Sequence, residues 1–156
     1  DSRLNANYAM KADSPVVSVK KITEECTDQY DRWDLHFYEK ECYATQGEMG
    51  YYLWFSLVTA PGQDYIPSGT YKITADGTPG FLPGDKEESG NGNSWATHTW
   101  LYGGRTPYAP MANGSLTVKT SNGTDYEVSF SMGDDHPMPY LVTGSFSGTV
   151  IKLTSN

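Results

Sequence analysis

Asp125-Tyr126-Glu127-Val128-Ser129-Phe130-Ser131-Met132 sets the fold class of this chain. Tyr126, Val128, Phe130 and Met132 alternate with Asp125, Glu127, Ser129 and Ser131. A strict period of two marks a β-strand with one face buried and one face wet. Just upstream, Leu116 and Val118 alternate with Ser115, Thr117 and Lys119. Ser121-Asn122-Gly123 joins the two segments. A two-residue Asn-Gly turn would set Val118 opposite Glu127 and mix the two faces. A three-residue loop pairs Val118 with Tyr126 and Leu116 with Val128, and keeps the apolar side chains together. A slip of one residue inverts a whole face, so the three-residue loop is expected, with Gly123 at a positive φ. Downstream, Tyr140, Val142 and Phe146 continue the alternation. Pairing Met132 with Tyr140 sets Phe130 beside Val142, and Gly144 opposite Val128.

Elsewhere in the chain, further strands are expected over Ala6 to Ala12, Val16 to Ile22, Trp33 to Phe37, Tyr51 to Thr59, Thr70 to Ala75 and Thr97 to Tyr102. Trp33, Leu35 and Phe37 alternate with Asp34, His36 and Tyr38. Tyr51 to Thr59 is apolar on both faces, as a central strand is. Val150, Ile151 and Leu153 finish the chain as a strand. Lys40 to Gln46 is the best candidate for a single helical turn. Gly77 to Ser94, with five glycines and two prolines, reads as a long loop, and Gly103 to Pro110 reads as another. The fold expected is a single all-β domain over residues 1–156: an antiparallel β-sandwich or a closed β-barrel of about eight to ten strands. Composition agrees. Of 156 residues, Gly supplies 16 and Pro 9, and Tyr supplies 12 in an aromatic content of 13%. Turn formers and β-favouring aromatics dominate.

The formal net charge is −8, and the basic residues are scattered. A nucleic-acid partner needs a basic patch to neutralise phosphates, so none is expected. No run approaches the roughly 20 apolar residues of a membrane span. The polar start at Asp1 is what either a trimmed or a mature chain would show.

Nucleophilic and phosphate-binding motifs are absent from the sequence. Gly144-Ser-Phe-Ser-Gly148 has Phe where a nucleophile elbow needs its serine, and no Gly-x-x-x-x-Gly-Lys run occurs. Carboxylate pairs for glycoside hydrolysis meet in space, so sequence does not select one. Of the three histidines, His36 shares a strand face with Asp34, and His136 follows Asp134-Asp135. Two ligands on one strand, or oxygens in an acidic turn, fall short of a metal site, and a solvated strand face and turn is the expected reading. Neither metal nor cofactor is expected.

Trp95, Trp100, Tyr102 and Tyr108 lie in or beside Gly-rich and Pro-rich segments. On a strand from Thr97 to Tyr102, His98, Trp100 and Tyr102 share one side. Rings there can stack a sugar or anchor a protein partner, or they can plug the end of the core. Trp95, His98, Trp100, Tyr102 and Tyr108 are therefore the candidate ligand-binding residues.

Cys26 and Cys42 are the only cysteines. Two ligands do not make a structural zinc site. A disulfide between them would stabilise by roughly 3 kcal/mol. In a chain read as exported, with no other cysteine to compete, the Cys26–Cys42 disulfide is expected; the alternative is two unpaired thiols, and the compartment decides between them.

Ile66-Pro67-Ser68-Gly69-Thr70-Tyr71 resembles a recurrent element of small secreted lipoproteins of Bacteroidetes type. So do Gly114-Ser-Leu-Thr-Val118, Tyr126-Glu-Val-Ser-Phe130 and Thr143-Gly-Ser-Phe-Ser-Gly148, and Asn5-Ala-Asn-Tyr8 and Tyr51-Tyr-Leu-Trp54 fit the same plan. These are fold signatures, not catalytic ones. The resemblance implies export to the cell surface or periplasm, with membrane contact only through a lipid anchor absent from this chain. Together these readings point to a non-catalytic binding module for a glycan or a surface protein. A structural component of a surface complex is the alternative, and a hydrolase ranks last.

Overall fold

The computed structural model describes residues 6–46, 49–72, 80–81, 97–100, 108–111, 113–133, 137–138 and 140–154, with the backbone alone at 80–81, 97–100 and 108–110. Two sheets face each other across one core. The five-stranded sheet runs in the order β1 (Tyr8–Ala9), β11 (Leu141–Thr149), β10 (Asp125–Gly133), β9 (Asn113–Thr120), β5 (Gly69–Lys72). The seven-stranded sheet runs β12 (Ile151–Leu153), β2 (Val16–Lys21), β3 (Asp31–Tyr38), β4 (Tyr51–Thr59), β7 (Thr97–Trp100), β8 (Tyr108–Pro110), and β6 (Gly80–Phe81) also pairs with β4. The architecture is therefore a sandwich and not a closed barrel.

Of these twelve strands, β1 and β6 have only two residues each. Most pairings are antiparallel, but β1 on β11 and β12 on β2 are parallel, so both sheets are mixed. The parallel edges arise where the chain crosses between sheets. Only Val150 separates β11 in one sheet from β12 in the other, and its N–H bonds to the Thr124 carbonyl at 3.0 Å. Tyr108–Pro110, expected as loop, is a strand paired with β7.

Alternation builds the core. Trp33, Leu35 and Phe37 on β3 and Leu53, Phe55 and Leu57 on β4 are buried, and they face Leu116, Val118, Val128, Phe130 and Met132 from the other sheet. Phe130 sits at the centre. Its ring meets Phe37 edge-on at 5.0 Å and Phe55 at 5.3 Å. Fully burying each such ring contributes about 1.5–3 kcal/mol. Asp31 is a buried carboxylate at the start of β3. Lys21 lies 3.2 Å away and the Gln63 N–H bonds to it at 2.7 Å. Those hydrogen bonds and the Lys21 charge hold its pKa below the usual carboxylate range against the opposing effect of burial.

The hairpin keeps the expected faces but moves the register by two residues. Val118 lies opposite Val128, and Tyr126 lies opposite Thr120. The reason is a larger, capped loop. The Thr120 hydroxyl accepts from the Gly123 N–H at 2.8 Å, and Asn122 Oδ1 accepts from the N–H groups of Thr124 and Asp125 at 2.9 and 2.8 Å. Gly123 has the expected positive φ, +74°. A Cβ there would also lie 2.3 Å from the Tyr65 ring. The next pairing shifts by two as well. Val142 lies opposite Met132, and Gly144 lies opposite Phe130. A Cβ at Gly144 would approach Phe130 Cζ to 2.5 Å, so the glycine makes room for the central ring.

The expected helical turn forms as α1, Lys40–Ala44. Glu39, just before it, is fully buried. Its carboxylate accepts from the Tyr8 hydroxyl, the Lys11 N–H at 2.8 Å and the Tyr51 N–H at 3.1 Å. It thereby ties the N-terminal segment to the seven-stranded sheet.

Cys26 and Cys42 are both free thiols, which overturns the disulfide. They flank β3 at opposite ends. An eight-residue strand is roughly 26 Å long, and a disulfide needs Cα atoms about 5.5–6 Å apart. Cys26 Sγ lies 3.4 Å from the Arg32 N–H near the start of β3, whereas Cys42 is buried in α1 after its end.

Candidate functional site

The core claims one face of β3 and β4, and the opposite face carries the chemistry. With Trp33, Leu35 and Phe37 turned inward, alternation turns Arg32, Asp34, His36 and Tyr38 outward. The register of β4 sets Ser56 beside Asp34, Trp54 beside His36 and Tyr52 beside Tyr38. On the other side, β2 sets Lys20 beside Asp34 and Ser18 beside His36. Three adjacent strands thus assemble one outer face that is aromatic at one end and polar at the other.

The aromatic end is a continuous strip. Tyr38 stacks on Tyr52 with centroids 5.5 Å apart. His36 lies 5.7 Å from Tyr38, 6.0 Å from Tyr52 and 5.7 Å from Trp54. Tyr43, from α1, adds an edge contact to Tyr38 at 5.5 Å and is 47% exposed. His36, Tyr38, Tyr52 and Trp54 each keep part of their surface open.

The strip is held from within. His36 Nδ1 and the Tyr38 hydroxyl lie 2.8 Å apart. Burial drives the His36 pKa down to about 4, with a smaller contribution from the Lys20 charge, so the ring is neutral at pH 7. Burial raises the Tyr38 pKa, opposed by its hydrogen bond from Ser18.

The polar end is under-satisfied. Arg32 donates to Ser56 Oγ at 2.6 Å and pairs with Glu25 at 2.9 Å. Yet Arg32 Nε, Asp34 Oδ1 and Trp54 Nε1 are buried with no hydrogen-bond partner. Burial raises the Asp34 pKa. The neighbouring Trp54 indole and Arg32 charge oppose the rise, although neither Asp34 Oδ1 nor Trp54 Nε1 is in a well-formed bond. Leaving such groups unpaired costs about 1–3 kcal/mol each.

No family model, curated protein or solved structure matches this chain. What the site can hold therefore follows from its geometry.

Of the residues expected from sequence to bind ligand, Trp95 and Tyr102 lie outside the described residues. His98, Trp100 and Tyr108 are described by backbone only. They occupy register positions opposite Leu53, Tyr51 and Thr99 respectively. The acidic turn at Asp134 to His136 also lies outside the described residues. Asp34 and His36 do share a face, as expected, but among the described residues no three His, Cys, Asp or Glu side chains gather as metal ligands. No helix among the described residues is long and apolar enough to cross a membrane.

Two shallow depressions lie on the outer face of the five-stranded sheet and share Glu127 and Ser147. None of the buried unpartnered polar atoms lies in them. The strip on β3 and β4 was hidden from sequence because its rings come from two strands and a helix. The available signal was that Tyr52 and Trp54 alternate on the second face of a central strand, at the same spacing as His36 and Tyr38.

Proposed function

We propose that the protein is a non-catalytic binding module whose ligand is a glycan, and that the outer face of β3 and β4 receives it. One observation carries this reading: a partly exposed cluster of aromatic rings, with Tyr38 stacked on Tyr52 and Trp54 beside His36, lies on one outer sheet face. A sugar ring has an apolar face that stacks on aromatic rings and hydroxyls that both donate and accept. The exported, cell-surface setting follows from the resemblance of its strand and turn segments to small secreted lipoproteins.

A glycan array probed with the wild-type protein and Trp54→Ala tests the reading. Binding to a defined set of glycans, weakened tenfold or more by Trp54→Ala without loss of the folded state, supports it. A blank array, or binding indifferent to Trp54→Ala, overturns it.

The reading as an assembly component has an observation of its own. Strand β12 ends the seven-stranded sheet and exposes Ile151 (36%) and Leu153 (49%). An apolar open edge is a template for strand addition. Concentration-dependent self-association abolished by Ile151→Lys would favour that role.

A further inference from the structure

We infer that the edge of β11 takes up an extended peptide as an added strand, at a place separate from the outer face of β3 and β4. Strand β1 begins such a pairing and stops after two residues, with Tyr8 beside Val142 and Ala9 beside Thr143. The Met10 N–H still reaches the Thr143 carbonyl at 2.8 Å. The next amide, that of Lys11, donates instead to the buried Glu39 carboxylate at 2.8 Å, and the chain leaves β11. On its other side β11 stays paired with β10 as far as Thr149. Among the described residues, Ser145 to Thr149 therefore has a strand on one side only.

The groups along that edge call for a polypeptide. The Leu141 N–H bonds to Asn7 Oδ1 at 2.9 Å and the Thr143 carbonyl accepts from Met10, so these alternate residues of β11 turn their backbone groups away from β10. The register with β10 runs on without a bulge, which puts the N–H and C=O of Ser145 and Ser147 on the same outward side. Both residues are exposed, and among the described residues nothing pairs with these groups. Donors and acceptors that recur at every second residue are matched by the main chain of an extended peptide. Val142 to Thr149 also contains no charged residue and no proline, the devices that blunt a sheet edge.

The surroundings select the occupant. Ser145, Phe146 and Ser147 share a groove of about 470 Å³ with Ala12 and Pro15. That width suits one strand, whereas the sheet edge of a second folded copy would meet Ala12 and Pro15. Pairing over Ser145 to Thr149 spans roughly 17 Å, too little for the about 1,200–2,000 Å² that a stable dimer buries. A residue paired with Phe146 lies on the same sheet face as that half-buried ring, so an apolar side chain suits it. Its neighbours point to the outer face, where Glu127 adjoins Ser147. On a chain of net charge −8, acidic side chains there are disfavoured. The partner is thus an extended segment with an apolar residue set between polar, non-acidic ones.

Random linear octapeptides displayed on phage, selected on the wild-type protein with Ala12→Trp protein as soluble competitor, test this. Ala12 is exposed, so that variant should fold with its groove filled. Enriched peptides should carry the apolar residue between non-acidic polar ones. Titrated into isotope-labelled protein, they should shift the amides of Thr143 to Gly148 saturably and leave His36 and Trp54 unmoved. N-methylating one alternate set of amides in such a peptide should abolish binding, and N-methylating the other set should spare it, because an added strand pairs through one side. Ser147→Pro removes an edge N–H and no bond to β10, and should weaken binding tenfold or more. No enrichment over the Ala12→Trp competitor, shifts centred away from β11, or equal tolerance of the two N-methylated sets overturns the inference.

Discussion

Protonating His36 should loosen the outer face, and the cost follows from its surroundings. The ring lies among Tyr38, Tyr52 and Trp54, and burial lowers its pKa from 6.5 to about 4. In the unfolded chain the imidazole takes a proton near pH 6.5, whereas in the folded chain it resists until about pH 4. Between those values the unfolded state binds more protons, so stability falls as pH falls. Above pH 6.5 the group is neutral in both states and contributes nothing to the pH dependence. Lowering a pKa tenfold in proton affinity corresponds to about 1.4 kcal/mol, so the full loss is about 3 kcal/mol, complete near pH 4. Asp34 titrates in the opposite sense. Its raised pKa lets the folded state take up a proton first, which favours folding as pH falls. Comparing wild type with His36→Gln isolates the imidazole, since Asp34 remains in both. Urea denaturation at pH 7, 6, 5 and 4 measures the difference. At an m-value of roughly 2 kcal/mol/M, the wild-type midpoint should lose about 1–2 M relative to the variant. Parallel midpoints across this range would show that His36 is not desolvated as described. A wild type that gains on the variant as pH falls would mean that folding favours the imidazolium, the reverse of what burial dictates.

Other expectations bear on the fold and the thiols. Phe130→Ala should cost about 3–5 kcal/mol in chemical denaturation, because its ring bridges Phe37 and Phe55 at the centre of the core. Gly144→Val should cost about 1–3 kcal/mol by overpacking against the same ring, and Phe130→Leu should relieve part of that cost. Gly123→Ala meets both a positive φ and the Tyr65 ring, so it should destabilise by more than about 1 kcal/mol, with Tyr65→Ala recovering the steric part. Without reductant, denatured protein should take up two alkyl groups by mass spectrometry. In the native state Cys42 should react slowly, since it is buried and its thiol is pushed up to about 11; a bridged pair would take up none.

The two-residue period of Asp125 to Met132 and of Trp33 to Phe37 made the strands and their buried faces legible, because alternation follows from backbone geometry alone. Gly123 was legible for the same local reason. Exact register was not. Face preservation forbids a slip of one residue but is silent about a slip of two, and only the Thr120 and Asn122 caps decide it. The parallel edges β1 and β12 depend on which sheet a crossing chain joins, which no local pattern encodes. The cysteine pairing failed because it turned on compartment and cysteine count, whereas the separation is set by the length of β3. At the candidate site, the shared face of Asp34, His36 and Tyr38 was readable. Its completion by Tyr52, Trp54 and Tyr43 required the pairing of β3 with β4 and the placement of α1. The loop aromatics drew attention through composition, while the described strip lies on regular strands.

Whether the outer face of β3 and β4 receives a glycan can be seen directly by backbone amide chemical-shift mapping with a glycan that binds on the array. Shifts at Asp34, His36, Tyr38, Tyr52 and Trp54 should saturate together, with smaller changes at Lys20 and Ser56. Saturable shifts confined to the segment around residues 95–108, or to the face bearing Glu127 and Ser147, would place the ligand elsewhere and remove the basis for this site.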